Sequence, residues 1–207
     1  MVSVSSPLTA PHRVRVPRLL VGLALFGIAD GAMVQAAIGV DPWTVFAQGL
    51  SRQTGVGVGW VTNVVGLLVL LLWIPLRQRP GAGTVLNILV VGTVLQATVA
   101  VLPAPGELWL RIPLFAAGLL LLAVASGLYI GAHYGPGPRD GLMTGLRART
   151  GRPVWQVRTA VEVSVLAVGW VLGGNVGPGT VAFAVLIGPL VGWTLPAFDL
   201  RRRIAPA

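Results

Sequence analysis

Six apolar runs, each close to twenty residues long, limit what this chain can fold into. They fall at about 19–38, 58–76, 84–102, 112–132, 154–172 and 180–196. A helix of about 20 apolar residues crosses the hydrocarbon core of a bilayer. Inside that core every backbone N–H and C=O must find its partner within the segment, so a helix is the form such a run takes. Charged residues make up only 10% of the chain, against about 25% in soluble domains. The expected fold class is therefore an all-α membrane protein with six transmembrane helices. A water-soluble globule is excluded.

The formal net charge of +9 comes from arginine, because the chain has no lysine. These arginines gather at the ends of the apolar runs, where they act as topology determinants and lipid-headgroup contacts rather than as a nucleic-acid surface. Cysteine is absent, which removes disulfides, thiol catalysis and thiolate metal sites. A basic start before an apolar run also describes a signal peptide. The first run, however, has a counterpart inside the chain, so it belongs to the folded unit.

That counterpart is part of an internal repeat. A shift of 96 positions, which carries Pro42 onto Pro138, aligns residues 22–98 with 118–194 without a gap. Gly22, Gly31, Gly39, Gly49, Gly55 and Gly92 meet Gly118, Gly127, Gly135, Gly145, Gly151 and Gly188. Thr54 meets Thr150, and Gly81-x-Gly83-Thr84-Val85 meets Gly177-x-Gly179-Thr180-Val181. Scattered Val and Leu matches follow from composition, but co-linear Gly, Pro and Thr-Gly punctuation over three spans does not. Three spans per unit give the units opposite orientations, as in inverted-repeat membrane proteins. Charge supports this. With the N-terminus cytoplasmic, Arg13, Arg15, Arg18, Arg77, Arg79, Arg139, Arg147, Arg149, Arg152 and Arg201 to Arg203 all lie inside. Only Arg52 and Arg111 lie outside, so the positive-inside rule is obeyed. The expected organisation is a flexible cytoplasmic tail (1–17), a first three-helix repeat (18–102), an outer connector (103–111), a second repeat (112–198) and a basic cytoplasmic tail (199–207).

Within each unit a polar connector follows the first span. One runs Gly39-Val-Asp41-Pro42-Trp43 to Thr54-Gly55, the other Gly135-Pro-Gly-Pro-Arg139-Asp140 to Thr150-Gly151. Each reads as a short helix: proline suits the first helical position, Asp41 can cap the first helix and Asp140 sits in the first turn of the second. Gly55 and Gly151 suit a left-handed stop. These helices either lie in the interface or enter the bundle as re-entrant elements. In the second case their entry loops line a cavity, and bare amides at a helix start can meet an anion.

The candidate substrate- or ion-binding residues are Asp30, Gln35, Asp41, Trp43, Asn63, Arg139, Asp140, Arg158 and Glu162. Asp30 lies mid-way along the first span, where a carboxylate either serves function or pairs with a neighbouring helix. Gln35, Asn63, Asn87 and Gln96 more often hold helices together than bind ligands. Arg158 and Glu162 stand four residues apart on one helix face and are expected to pair. No hydrolase elbow, phosphate loop or metal-ligand cluster appears, so no catalytic residue, metal or cofactor is expected.

The connector from Gly135 to Gly151 resembles the signature of the bacterial YczE/YitT-like integral membrane proteins. So do Val157-Arg158 with Glu162, Gly173-Gly-Asn-Val-Gly-Pro-Gly-Thr180, Ile187-Gly-Pro-Leu190 and, in the first half, Asp41-Pro-Trp43. The resemblance covers nearly all of the chain after about residue 18. It implies a small multi-pass protein of the bacterial cytoplasmic membrane and carries no activity or catalytic residues with it. One departure stands out: this chain reads Gly-Val-Asp41-Pro-Trp-Thr44 where the family more often has Gly-x-Gly-Pro-Trp-Asp.

Two functions are expected to compete. One is a small-solute secondary transporter or permease with its site between the repeats. The other is a non-transporting membrane partner that supports a membrane-associated enzyme or export system through its basic cytoplasmic loop. An enzyme is the weakest reading. The partners expected are the bilayer, a small solute or ion and, on the second reading, a membrane-associated protein.

Overall fold

The computed structural model describes residues 10–200, and within them the chain is helical without strands. In chain order the helices are α1 (His12–Ala36), α2 (Pro42–Thr54), α3 (Val58–Leu71), a one-turn α4 (Trp73–Leu76), α5 (Ala82–Val101), α6 (Leu108–Gly131), α7 (Pro138–Thr150), α8 (Val154–Val171) and α9 (Pro178–Phe198). Among the described residues six helices are long and apolar enough to cross a membrane, α3 with α4 counting as one. α2 and α7 are the two short connector helices.

Helix boundaries follow local chemistry. Asp41 caps α2, its Oδ1 accepting from the amides of Trp43 (3.1 Å) and Thr44 (3.2 Å). α7 begins at Gly137 without a side-chain cap. Both short helices carry proline at the first position and stop at a left-handed glycine, Gly55 (φ 73°) or Gly151 (φ 67°). α1 starts at His12, inside the stretch expected to be a flexible tail. Its first turn is tied down because Arg15 donates to the carbonyls of Ala132 (3.0 Å) and His133 (2.8 Å). The rest of the N-terminal tail (1–9) and the Arg201 to Arg203 cluster lie outside the described residues.

α1 and α6 pack along each other at the centre, with α5 against α1 and α9 against α6. α2 packs on α8 and α3; α7 packs on α3, α4 and α8. Contacts recur between the two halves with a spacing of 96 residues. Gly22 on α1 abuts the backbone of Ala125 and Tyr129 on α6, and Gly118 on α6 abuts Ala29 and Met33 on α1. The Gly83 amide donates to the Tyr134 carbonyl (2.9 Å), and the Gly179 amide donates to the Ile38 carbonyl (2.8 Å). Gly39 and Gly135 adopt φ of +112° and +114°, each pressed against the backbone that opens the last helix of the other half. Only glycine takes that conformation without strain.

The halves differ in two places. Trp73, 1% exposed, packs against Gly141 and donates from Nε1 to the Pro138 carbonyl (3.0 Å). The counterpart of Trp73 is Gly169, which instead receives the backbone of Val45 and Phe46. In addition, α3 packs along α5, whereas no comparable packing joins their counterparts α8 and α9.

A Cβ at Gly141 would stand 1.9 Å from Trp73 Cζ2. Overpacking of this kind costs about 1–3 kcal/mol. Gly141→Ala is therefore expected to lower the thermal midpoint in detergent by several degrees, whereas Gly192→Ala, where a Cβ meets nothing within 4 Å, leaves it unchanged.

Candidate functional site

The two short helices meet start to start. Arg139, second residue of α7, donates from Nη1 to Asp41 Oδ1 at the cap of α2 (3.0 Å), and its guanidinium lies 5.3 Å from the centre of the Trp43 ring. This contact joins the two repeats through the polar segments that set them apart from ordinary spanning helices.

Around it opens a cavity of about 290 Å³. Its walls come from α1, α2, α3, α5, α6, α7, α8 and α9. The apolar part includes Phe26, Val91, Leu122 and Ile187; the polar part includes Asp41, Asn87, Tyr129, Arg139, Asp140, Arg158 and Glu162. The balance is that of a small-molecule site: apolar walls with a few placed polar groups. Arg158 and Glu162 form an ion pair of 2.9 Å on one face of α8, partly exposed. The Tyr129 hydroxyl donates to Asp140 Oδ2 at 3.4 Å.

Asp140 lines this cavity and keeps accessible surface. Enclosure pushes its carboxyl above the usual carboxylate range; Arg158, Arg139, the Tyr129 hydroxyl and the Gly137 amide pull the other way and do not cancel it. The group thus holds its proton to higher pH when folded than when unfolded. Its contribution to stability is full below about pH 4, the ordinary range for aspartate, and is lost as pH rises through the raised value. Asp140→Asn is expected to remove that decline. A plot of thermal midpoint against pH should fall for the parent chain over this window and stay flatter for the variant.

Buried polar atoms without a partner collect beside the cavity. Among the described residues they are Asp30 Oδ2, Asp41 Oδ2, Trp43 Nε1, Thr44 Oγ1 and Asn63 Oδ1. Four of the five belong to mid-α1 or to the start of α2. Native interiors leave few such atoms unpaired, so their concentration marks where the interior expects something more.

The amino-acid sequence is matched over residues 14–196 by a family of unknown function, DUF6198. The chain belongs to DUF6198. A Haemophilus influenzae relative described as an uncharacterized protein is 42% identical over 177 residues, covering 86% of this chain and 81% of its own. The Bacillus subtilis uncharacterized membrane protein YczE is 32% identical over 161 residues, covering 77% and 75%. A second Bacillus subtilis relative, the uncharacterized protein YyaS, is 22% identical over 183 residues, covering 86% and 91%. No solved structure matches the chain. The resemblance to YczE-type proteins is borne out, and the six apolar helices agree with a multi-pass membrane protein.

Of the nine residues singled out in this DUF6198 chain, six share the cavity: Asp41, Trp43, Arg139, Asp140, Arg158 and Glu162. Asp30 does not line it but lies buried where it feels the charges of Asp41 and Arg139. Gln35 and Asn63 stand outside. Gln35 donates to the Val99 carbonyl (2.9 Å) and to that of Leu102, closing the end of α5. Asn63 donates to Thr93 Oγ1 (3.1 Å), linking α3 to α5. Both therefore join helices. Tyr129 and Ser126 also line the cavity and were not anticipated. A signal existed for Ser126, which occupies the repeat position of Asp30.

Proposed function

We propose that this DUF6198 protein is a small-solute secondary transporter of the bacterial cytoplasmic membrane, a carrier rather than an enzyme. Its two repeats are inverted in the bilayer, with both termini cytoplasmic, and its solute site is the cavity between them. The observation that carries this reading is the start-to-start meeting of α2 and α7 at a polar cavity. Broken helices whose positive ends converge between repeats are how inverted-repeat transporters hold solutes away from water. The reciprocal contacts spaced by 96 residues are what a pseudo-two-fold axis produces. On this reading α2 and α7 are re-entrant, entering from opposite faces.

The test is uptake into proteoliposomes from a pooled panel of small polar metabolites, read by mass spectrometry. At least one solute is expected to accumulate in vesicles with the parent chain and not in vesicles with Arg139→Ala. If no solute enters and none raises the thermal midpoint, while crosslinks from the exposed Arg147 and Arg152 capture a membrane-associated protein in stoichiometric yield, the partner reading replaces this one.

A further inference from the structure

Asp30 lies in α1 at 1% exposure, and its Oδ2 has no hydrogen-bond partner. The charges that act on it are the Asp41 carboxylate and the Arg139 guanidinium. Asp41, 3% exposed, uses Oδ1 for the Trp43 and Thr44 amides and for Arg139, and leaves Oδ2 unpartnered. Thr44, 1% exposed, sits at the third position of α2, its hydroxyl unpartnered as well. One guanidinium therefore acts on two buried carboxylates and hydrogen-bonds to one of them, Asp41.

A carboxylate in that setting is expensive unless it is neutralised or paired. The two carboxylate oxygens without partners call for a species that offers positive charge, and the Thr44 hydroxyl beside them offers a further oxygen ligand. Among the described residues a second guanidinium does not fill the role: the other cavity arginine, Arg158, is spent on Glu162, and the cation that acts on Asp30 is Arg139.

We propose that Asp30, Asp41 and Thr44 form a binding site for one cation of unit charge, H⁺ or Na⁺, which adjoins the solute cavity and shares Asp41 with its wall. A proton on Asp30 gives its Oδ2 a donor role toward a neighbouring acceptor. A sodium ion takes oxygens, the ligands hard cations prefer. In either form one positive charge balances the cluster to two against two. Under the transport reading given above, on which this consequence rests, the cation is the coupling ion, because it and the solute load the same pair of helix starts.

The test uses the full chain in detergent without solute. In one arm Na⁺ replaces choline at constant ionic strength and fixed pH; in the other pH is varied without Na⁺. Sodium binding raises the thermal midpoint by on the order of a few degrees per tenfold concentration once above its dissociation constant, and Asp30→Asn abolishes the rise. Proton binding leaves sodium without effect, and Asp30→Asn removes a pH dependence that persists in Asp140→Asn. Asp41→Asn, which keeps the helix cap, provides a second variant with the same expected loss. The proposal is overturned if neither arm distinguishes the parent chain from both variants. Cation binding without any solute flux keeps this site and removes only the transport reading; flux indifferent to both cations keeps the transport reading and removes the coupling role of the cation.

Discussion

Replacing Arg139 with alanine is expected to lower stability by about 3 kcal/mol, the lower end of what removing one member of a buried ion pair costs. The lower end applies because the Arg139 side chain keeps 31% of its surface while Asp41 keeps 4%. For a chain of this size that is roughly 6–12 °C in the thermal midpoint. The loss has a specific origin: Asp41 Oδ1 loses its charged donor, the Trp43 ring loses its cation, and Asp30 loses the one guanidinium near it. Arg139→Ala combined with Asp41→Asn should then recover a large part of the loss, since the double variant no longer buries an uncompensated carboxylate at the cap. A double-mutant cycle isolates the coupling, and strictly additive losses would show that Arg139 and Asp41 act separately. Arg139→Lys should rescue only in part, because an ammonium has no planar face to lay on Trp43.

The helix count and the ends of the two short helices were legible in the sequence because they depend on local chemistry. Pro42, Pro138, Gly55 and Gly151 punctuate α2 and α7 through backbone preferences that hold in any surroundings. The Arg158–Glu162 pair was legible for the same reason, as four residues on one helix define a neighbour without reference to the fold. Of the six candidate residues that converged on one cavity, Asp41, Trp43, Arg139 and Asp140 come from the two connectors, which carry the chain's unusual polarity.

What escaped depends on pairing between distant elements. Nothing near Tyr129 in the sequence says that its hydroxyl meets Asp140. Nothing near Gln35 says that its amide closes the end of α5 rather than facing a ligand. The start of α1 at His12 was hidden likewise: a stretch with two arginines and a proline reads as tail until Arg15 is seen to reach the carbonyls of Ala132 and His133.

On the transport reading proposed above, locking α8 to α9 is expected to stop solute flux, and here the difference between the halves becomes a measurement. On the first side α3 and α5 touch so closely that a Cβ at Gly59 would stand 2.1 Å from the Gly92 carbonyl oxygen. The positions 96 residues on, Trp155 and Gly188, are apart: Trp155 is 67% exposed and a Cβ at Gly188 meets nothing within 4 Å. One sequence frame thus holds two arrangements, closed on one side and open on the other. In a carrier built from inverted repeats the two arrangements exchange as the site is presented to opposite faces of the membrane. α8 should then close on α9 when α3 parts from α5. The chain has no cysteine, so a pair introduced by Trp155→Cys and Gly188→Cys reports on this motion alone. A disulfide needs Cα atoms about 4.4–6.8 Å apart, a distance expected only in the closed arrangement. Oxidation during turnover should therefore crosslink the pair within one chain and reduce flux to background, and reduction should restore it. If the bond never forms, or forms without affecting flux, the exchange of arrangements does not occur. A bond that forms between two chains instead would make the α8–α9 face an interface between copies and not a moving part of the carrier.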